Sequence, residues 1–122
     1  MTWTYDQSTG DLFHDGQFVG TGYSGKGRTR EQGRNNGDLE HERGVGPIPR
    51  GRWRIGRAEN HPNTGPISIR LSPAGHDAHG RSGFLIHGNN AADNASTGCI
   101  IMARSIRLEI IGSGDKELDV VA

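Results

Sequence analysis

The stretch FLIHGNNAADNASTGCIIMAR, residues 84–104, holds the single cysteine of the chain, Cys99, with His87 twelve positions before it. Two short, almost continuous apolar runs flank a polar loop rich in Asn, Ser and Gly. Runs of this length bounded by glycine read as strands covered on both faces. In an extended backbone Phe84 and Ile86 share one face while Leu85 and His87 share the other. His87 stands last in its run, before Gly88, and Cys99 opens the next run, after Gly98. If the two strands are neighbours, imidazole and thiol face each other across the strand ends.

That arrangement has chemical content. A free thiol of pKa about 8.5 is mostly protonated at neutral pH, and the thiolate is the nucleophile, so an imidazole within reach makes a competent pair. Gly98 admits close approach of a substrate, and the Gly98 and Cys99 amides can face a developing oxyanion, a role worth about 3 kcal/mol per donor. Ser96 and Thr97 are placed to orient the imidazole or the loop, and a third group, side chain or carbonyl, is expected to fix the base. The same spacing also suits a buried thiol ahead of an apolar strand, since free cysteine is among the most buried residue types. Spacing alone leaves both readings open.

Outward from this stretch, the composition favours β structure. Apolar residues make up 31% of the chain and glycine supplies 20 of 122 positions, falling between short apolar runs where turns need it and helices do not. Asp15-Gly16, between DLFH and QFVG, is a two-residue hairpin signal, and strands are expected near 2–6, 11–14 and 17–23. Trp53 and Ile55 alternate with Arg52 and Arg54, and Ile67, Ile69 and Leu71 alternate with Ser68 and Arg70, giving two half-buried strands. In RSIRLEIIGSG, Ile106 with Ile110 and Leu108 with Ile111 fall at helical spacing, and Gly112 is the expected C-terminal stop. ELDVVA reads as a final strand. Residues 26–46 hold only Leu39 and Val45 as aliphatics and read as a long surface loop able to wall a cleft.

Charge narrows the partners. Fourteen basic and fourteen acidic residues cancel, so no global field draws the chain to nucleic acid. Twelve of the fourteen basic residues are Arg, whose fork suits carboxylates. No apolar run is long enough to cross a bilayer, and the N-terminus lacks the basic and apolar regions of a signal peptide. One cysteine excludes an intramolecular disulfide.

IHG followed by STGCI resembles the L,D-transpeptidase signature. With GYSG at 22–25, NN at 35–36, GPIPRGRWRI at 46–55, GRSGFLIHG at 80–88 and ASTGCIIM at 95–102, nearly the whole chain is similar to the type VI secretion L,D-transpeptidase effector family. Thr97 stands where many members carry a second histidine, and the loop from His87 to Cys99 is short. The resemblance implies Cys99 as nucleophile and His87 as base, with Ser96 and Gly98 matching the rest of the motif. It implies a mainly β, L,D-transpeptidase-like sandwich or barrel with one short C-terminal helix, with residues 1–122 forming a single catalytic domain and no cofactor. The implied reaction is cleavage between the third-position diamino acid and D-alanine of peptidoglycan tetrapeptide stems, with D-amino-acid exchange. Arg81, Tyr23, Thr97 and Arg104 are the expected substrate contacts. The implied setting is a monomer made in the cytoplasm and delivered to the periplasm of a target cell by a secretion machine or by phage lysis, with an immunity protein as possible partner.

Two alternatives compete. His76, Asp77 and His79 with His87 offer a zinc-binding set for a metallopeptidase. A non-catalytic peptidoglycan-binding or phage structural module would instead use Trp53, Tyr23 and the arginines. Asn35 and Asn36 fit either a substrate contact or turn formation.

Overall fold

The computed structural model describes residues 2–122. Nine strands and one helix follow in the order β1 (Trp3–Asp6), β2 (Asp11–His14), β3 (Gln17–Thr21), β4 (Tyr23–Ser24), β5 (Gly51–His61), β6 (Gly65–Pro73), β7 (Leu85–His87), β8 (Ile100–Ile101), α1 (Arg104–Ser113) and β9 (Glu117–Val121). They form one sheet ordered β3-β2-β1-β9-β5-β6-β7-β8-β4. Its two edge strands, β3 and β4, are neighbours in the chain, so the sheet curls almost into a barrel.

Gly22 is the corner that allows this. A Cβ there would lie 1.7 Å from the Ile101 carbonyl oxygen, so only glycine lets the chain pass from one edge of the sheet to pair with β8 at the other. The run expected as one strand over 17–23 is therefore two. The β2–β3 hairpin turns at Asp15 and Gly16, both with positive φ, as a type I′ turn requires.

The core follows from alternation. Trp3 and Tyr5 of β1, Trp53 and Ile55 of β5, and Leu118 and Val120 of β9 all turn inward. The final strand β9 lies in the sheet interior, parallel to β1 and antiparallel to β5. Trp53 meets Phe84 edge-on at 4.9 Å and donates its indole N–H to the Pro49 carbonyl. Ile110 of α1 joins this core, with Ile106 packed against it. Leu108 and Ile111, at 48% and 42% exposure, do not. The helix stops at Gly114 in the left-handed conformation, two residues beyond the expected Gly112.

Residues 26–46 form a compact loop whose ends are tied by the Lys26 N–H to the Val45 carbonyl. Glu40 is its internal hub, accepting from Gln7 Nε2, from the Arg50 N–H and Nε, and pairing with His79. Asn35 exchanges hydrogen bonds with the Ser24 backbone and Asn36 caps the 3-10 turn at Gly37–Leu39, so both serve turn formation. Among the described residues no helix is long and apolar enough to cross a membrane.

Candidate active site

β7 and β8 are adjacent and parallel, with Ile86 opposite Ile100 and His87 opposite Ile101. Cys99 therefore lies two residues behind the partner of His87, an offset of about 6.6 Å along the strand. The topology brings the two residues to neighbouring strands, yet no hydrogen bond joins them among the described residues. The thiol faces the Gly83 carbonyl at 3.7 Å and the Leu85 N–H. The imidazole hydrogen-bonds through Nδ1 to the Gly88 carbonyl at 2.9 Å. Because a carbonyl only accepts, Nδ1 carries the proton and Nε2 is left with the lone pair a base needs. The third group that fixes His87 is thus a backbone carbonyl.

Burial shapes both ionisations. Burial pushes the Cys99 thiol up, against smaller opposing effects of the Leu85 N–H and the Arg81 charge. Burial pushes His87 down, helped by the Arg107 and His61 charges and opposed by its bond to Gly88. Near neutral pH the resting pair is a neutral imidazole and a protonated thiol.

Ser96 is 1% exposed and organises the turn before the thiol. Its hydroxyl donates to the Cys99 carbonyl at 2.6 Å and accepts the Gly25 and Gly98 N–H groups. Of the two roles expected for it, orienting the imidazole or orienting the loop, its bonds are those of the second. The Gly98 N–H is consumed in this way and is no oxyanion donor. The Cys99 N–H has no acceptor among the described residues. Gly98 itself has φ +144°, and a Cβ there would stand 2.5 Å from Arg81 Nη2. The space that glycine keeps open is thus filled by the protein's own guanidinium.

Arg81 is buried, and its Nη1 and Nη2 donate to the Glu40, Pro47, Gly46 and Thr97 carbonyls. With both terminal nitrogens so engaged, it ties the long loop to the cysteine turn and is not a free carboxylate anchor; its charge lies beside the thiol. A cleft of about 170 Å³ opens here, lined by Cys99, Thr97, Arg81, Gly83, Arg43 and Gly44. Arg43 and Gly44 come from the long loop, which walls the cleft. Nothing in the charge pattern of that loop singled out Arg43.

Tyr23 and Arg104 lie elsewhere, in a second cleft of about 450 Å³ that also includes Gly88, Asn89, Met102 and Arg107. The Tyr23 hydroxyl donates to Asn89 Oδ1 and accepts the Ala95 N–H, bracing the loop between His87 and Cys99. The expected substrate contacts are therefore divided between two clefts. The zinc set is not assembled: His76 contacts the Arg52 carbonyl and the Ala78 N–H, and Asp77 caps the 3-10 turn at Ala78–Gly80. His79 pairs with Glu40, and His87 sits apart in the sheet.

A mainly β, nearly closed sheet with one short helix resembles the folds of solved L,D-transpeptidases. The L,D-transpeptidase 1 of Mycobacterium tuberculosis superposes with a TM-score of 0.55 at 15% identity, covering 99% of this chain and 61% of that one. An L,D-transpeptidase from Mycobacterium smegmatis gives 0.53 at 15% identity, covering 99% and 58%. The helical cell shape determining protein Pgp2 of Campylobacter jejuni gives 0.54 at 18% identity, covering 98% and 46%. The chain thus spans about half to three-fifths of the length of these structures. No curated protein matches it in sequence. The Tlde1 domain family model matches residues 19–119, and the chain belongs to that family, the L,D-transpeptidase-like type VI effector family to which its motifs point.

Proposed function

We propose that the chain is a cysteine-dependent peptidoglycan enzyme, an L,D-carboxypeptidase that cleaves D-alanine from the third-position diamino acid of tetrapeptide stems and also exchanges it for D-amino acids. The observation that carries this reading is the Ser96-organised turn, which holds the Cys99 thiol and an unengaged Cys99 N–H at one cleft of an L,D-transpeptidase fold. The His87 Nε2 takes the thiol proton as sulfur attacks the carbonyl carbon. The oxyanion accepts from the Cys99 N–H, and collapse expels D-alanine, whose nitrogen takes the proton back. Water or an amine then attacks the thioester, delivers a proton to His87 and frees the thiolate.

Family membership supports a role as an antibacterial effector acting in the periplasm of a target cell after delivery by a secretion machine, with an immunity protein protecting the producer. The test is incubation of tetrapeptide muropeptides with the protein and with Cys99→Ala, followed by mass separation. Loss of D-alanine with the first alone is expected; intact tetrapeptide in both, or equal cleavage by both, overturns the reading.

A further inference from the structure

Arg107 is a buried charge that the thiol chemistry leaves unused. It is 8% exposed, and no carboxylate pairs with it among the described residues. Burying a guanidinium without a counter-ion is costly unless its N–H groups find acceptors. Here Nε donates to the Met102 carbonyl at 3.1 Å, and Nη1 to the Pro66 and Ile67 carbonyls at 3.0 and 2.9 Å. Ile67 offers its carbonyl from the left-handed region, at φ +57°, a conformation that a β-branched residue adopts only where its surroundings impose it.

These acceptors fix where the side chain lies. Pro66 and Ile67 belong to β6 and Met102 follows β8, the two strands that flank β7 in the sheet. One guanidinium from α1 therefore straddles the end of β7, where His87 stands. The Met102 N–H in turn donates to the His87 carbonyl at 3.0 Å. Nη2 packs on Gly88: a Cβ there would stand 2.9 Å from it, so the glycine after His87 is the space that the guanidinium occupies. Gly88 is also the residue whose carbonyl fixes His87 Nδ1, at 2.9 Å. Gly88 and Met102, the two backbone partners of His87, thus rest on one side chain.

We infer that Arg107 is a positioning residue for His87, holding the Gly88 carbonyl in register so that Nδ1 keeps the proton and Nε2 the lone pair. This rests on the reading of His87 as the base for Cys99. The charge of Arg107 acts in the same sense as its bonds. Burial lowers the proton affinity of His87 most, the Gly88 bond opposes that, and the charges that add to the lowering are Arg107 of α1 and His61 of β5. Because a guanidinium stays charged at every working pH, it disfavours the imidazolium, which is no base.

The test is ¹⁵N imidazole spectroscopy across pH on the parent protein, Arg107→Met and Arg107→Lys. The His87 signal, one of six histidines, is identified by its absence in His87→Gln. The parent is expected to show the Nδ1–H tautomer above its midpoint. In Arg107→Met the Nε2–H form is expected to rise to a comparable share and the midpoint to move up, since a cation has gone while His61 is common to both. Arg107→Lys, which keeps the charge and loses the fork, is expected to retain the parent midpoint but not the parent tautomer ratio. A parent-like ratio or an unmoved midpoint in Arg107→Met overturns the inference, as does a midpoint in Arg107→Lys as high as in Arg107→Met. Should Arg107→Met fail to fold, Gly88→Ala, which takes the room of Nη2, carries the test with Arg107→Lys, and a parent-like ratio in either overturns it. Neither readout uses turnover, so failure here leaves the thiol reading standing, and failure of that reading leaves the tautomer result intact. Where stems are cleaved, Arg107→Met is expected to lose about 10²-fold in kcat with KM little changed, as a displaced base would. An unchanged kcat overturns the inference.

Discussion

The Ser96 hydroxyl and the Cys99 carbonyl are 2.6 Å apart, closing the turn that presents the thiol. Because the same oxygen also receives two N–H groups, one buried side chain holds Gly25, Gly98 and Cys99 together. Ser96→Ala strands two amide donors and is expected to cost about 2 kcal/mol or more. Urea melts give that loss. D-alanine release at temperatures where the variant remains folded should fall further than the folded fraction does, because the thiol is no longer held in register.

His87 and Cys99 occupy neighbouring strands without touching, so their functions separate on mutation. His87→Gln is expected to lower stem cleavage by about 10²–10⁴-fold while leaving iodoacetamide alkylation of Cys99 within about threefold. A thiol that loses its reactivity together with the imidazole would show that the two are hydrogen-bonded in solution. Since burial holds the imidazole below its ordinary 6.5, it stays neutral and able to accept a proton to lower pH. The acid limb of kcat/KM is expected below pH 6.5.

Arg81 places a cation beside the thiol, and that charge opposes the effect of burial. Arg81→Met is expected to raise the pH at which alkylation of Cys99 reaches half its maximum, and Arg81→Lys to recover part of the shift. Both variants lose bonds to carbonyls and melt earlier. The pH profile thus separates the charge from the scaffold role, and an unmoved profile in Arg81→Met assigns Arg81 to scaffolding alone.

Glu40 is held at about 2: burial raises its pKa, but hydrogen bonds from Gln7, Arg50 and His79 outweigh that effect. A carboxyl group depressed from 4.5 in the folded state stabilises the fold above that pH and loses its contribution as pH falls toward 2. Glu40→Gln is expected to be less stable near neutrality, with the difference from the parent protein shrinking through this window. Denaturant melts across the acid range measure it.

Much of this was legible locally. The Asp15-Gly16 turn, the alternation around Trp53 and Ile69, and the paired apolar runs about His87 and Cys99 depend on neighbours in the chain, where side-chain period and turn chemistry act. The helix end was misplaced because Gly112 and Gly114 both permit the stop, and the choice went to the residue whose N–H closes on the Ile111 carbonyl. Leu108 and Ile111 had helical spacing, yet the contact of α1 with the sheet buries Arg107 and Ile110, with Ile106 packed against the core.

Sequence by itself determined the strand-rich class, the motif carrying Ser96, Gly98 and Cys99, and the family resemblance, because these rest on residue type and short spacing. Tertiary structure alone decided that β9 enters the sheet interior, that Gly22 breaks a strand so that the sheet curls almost into a barrel, and that Arg81 turns inward to backbone carbonyls. Those outcomes depend on which carbonyls and charges come within about 3 Å across distant parts of the chain. Such distances are set by the packing of the whole sheet rather than by any local pattern.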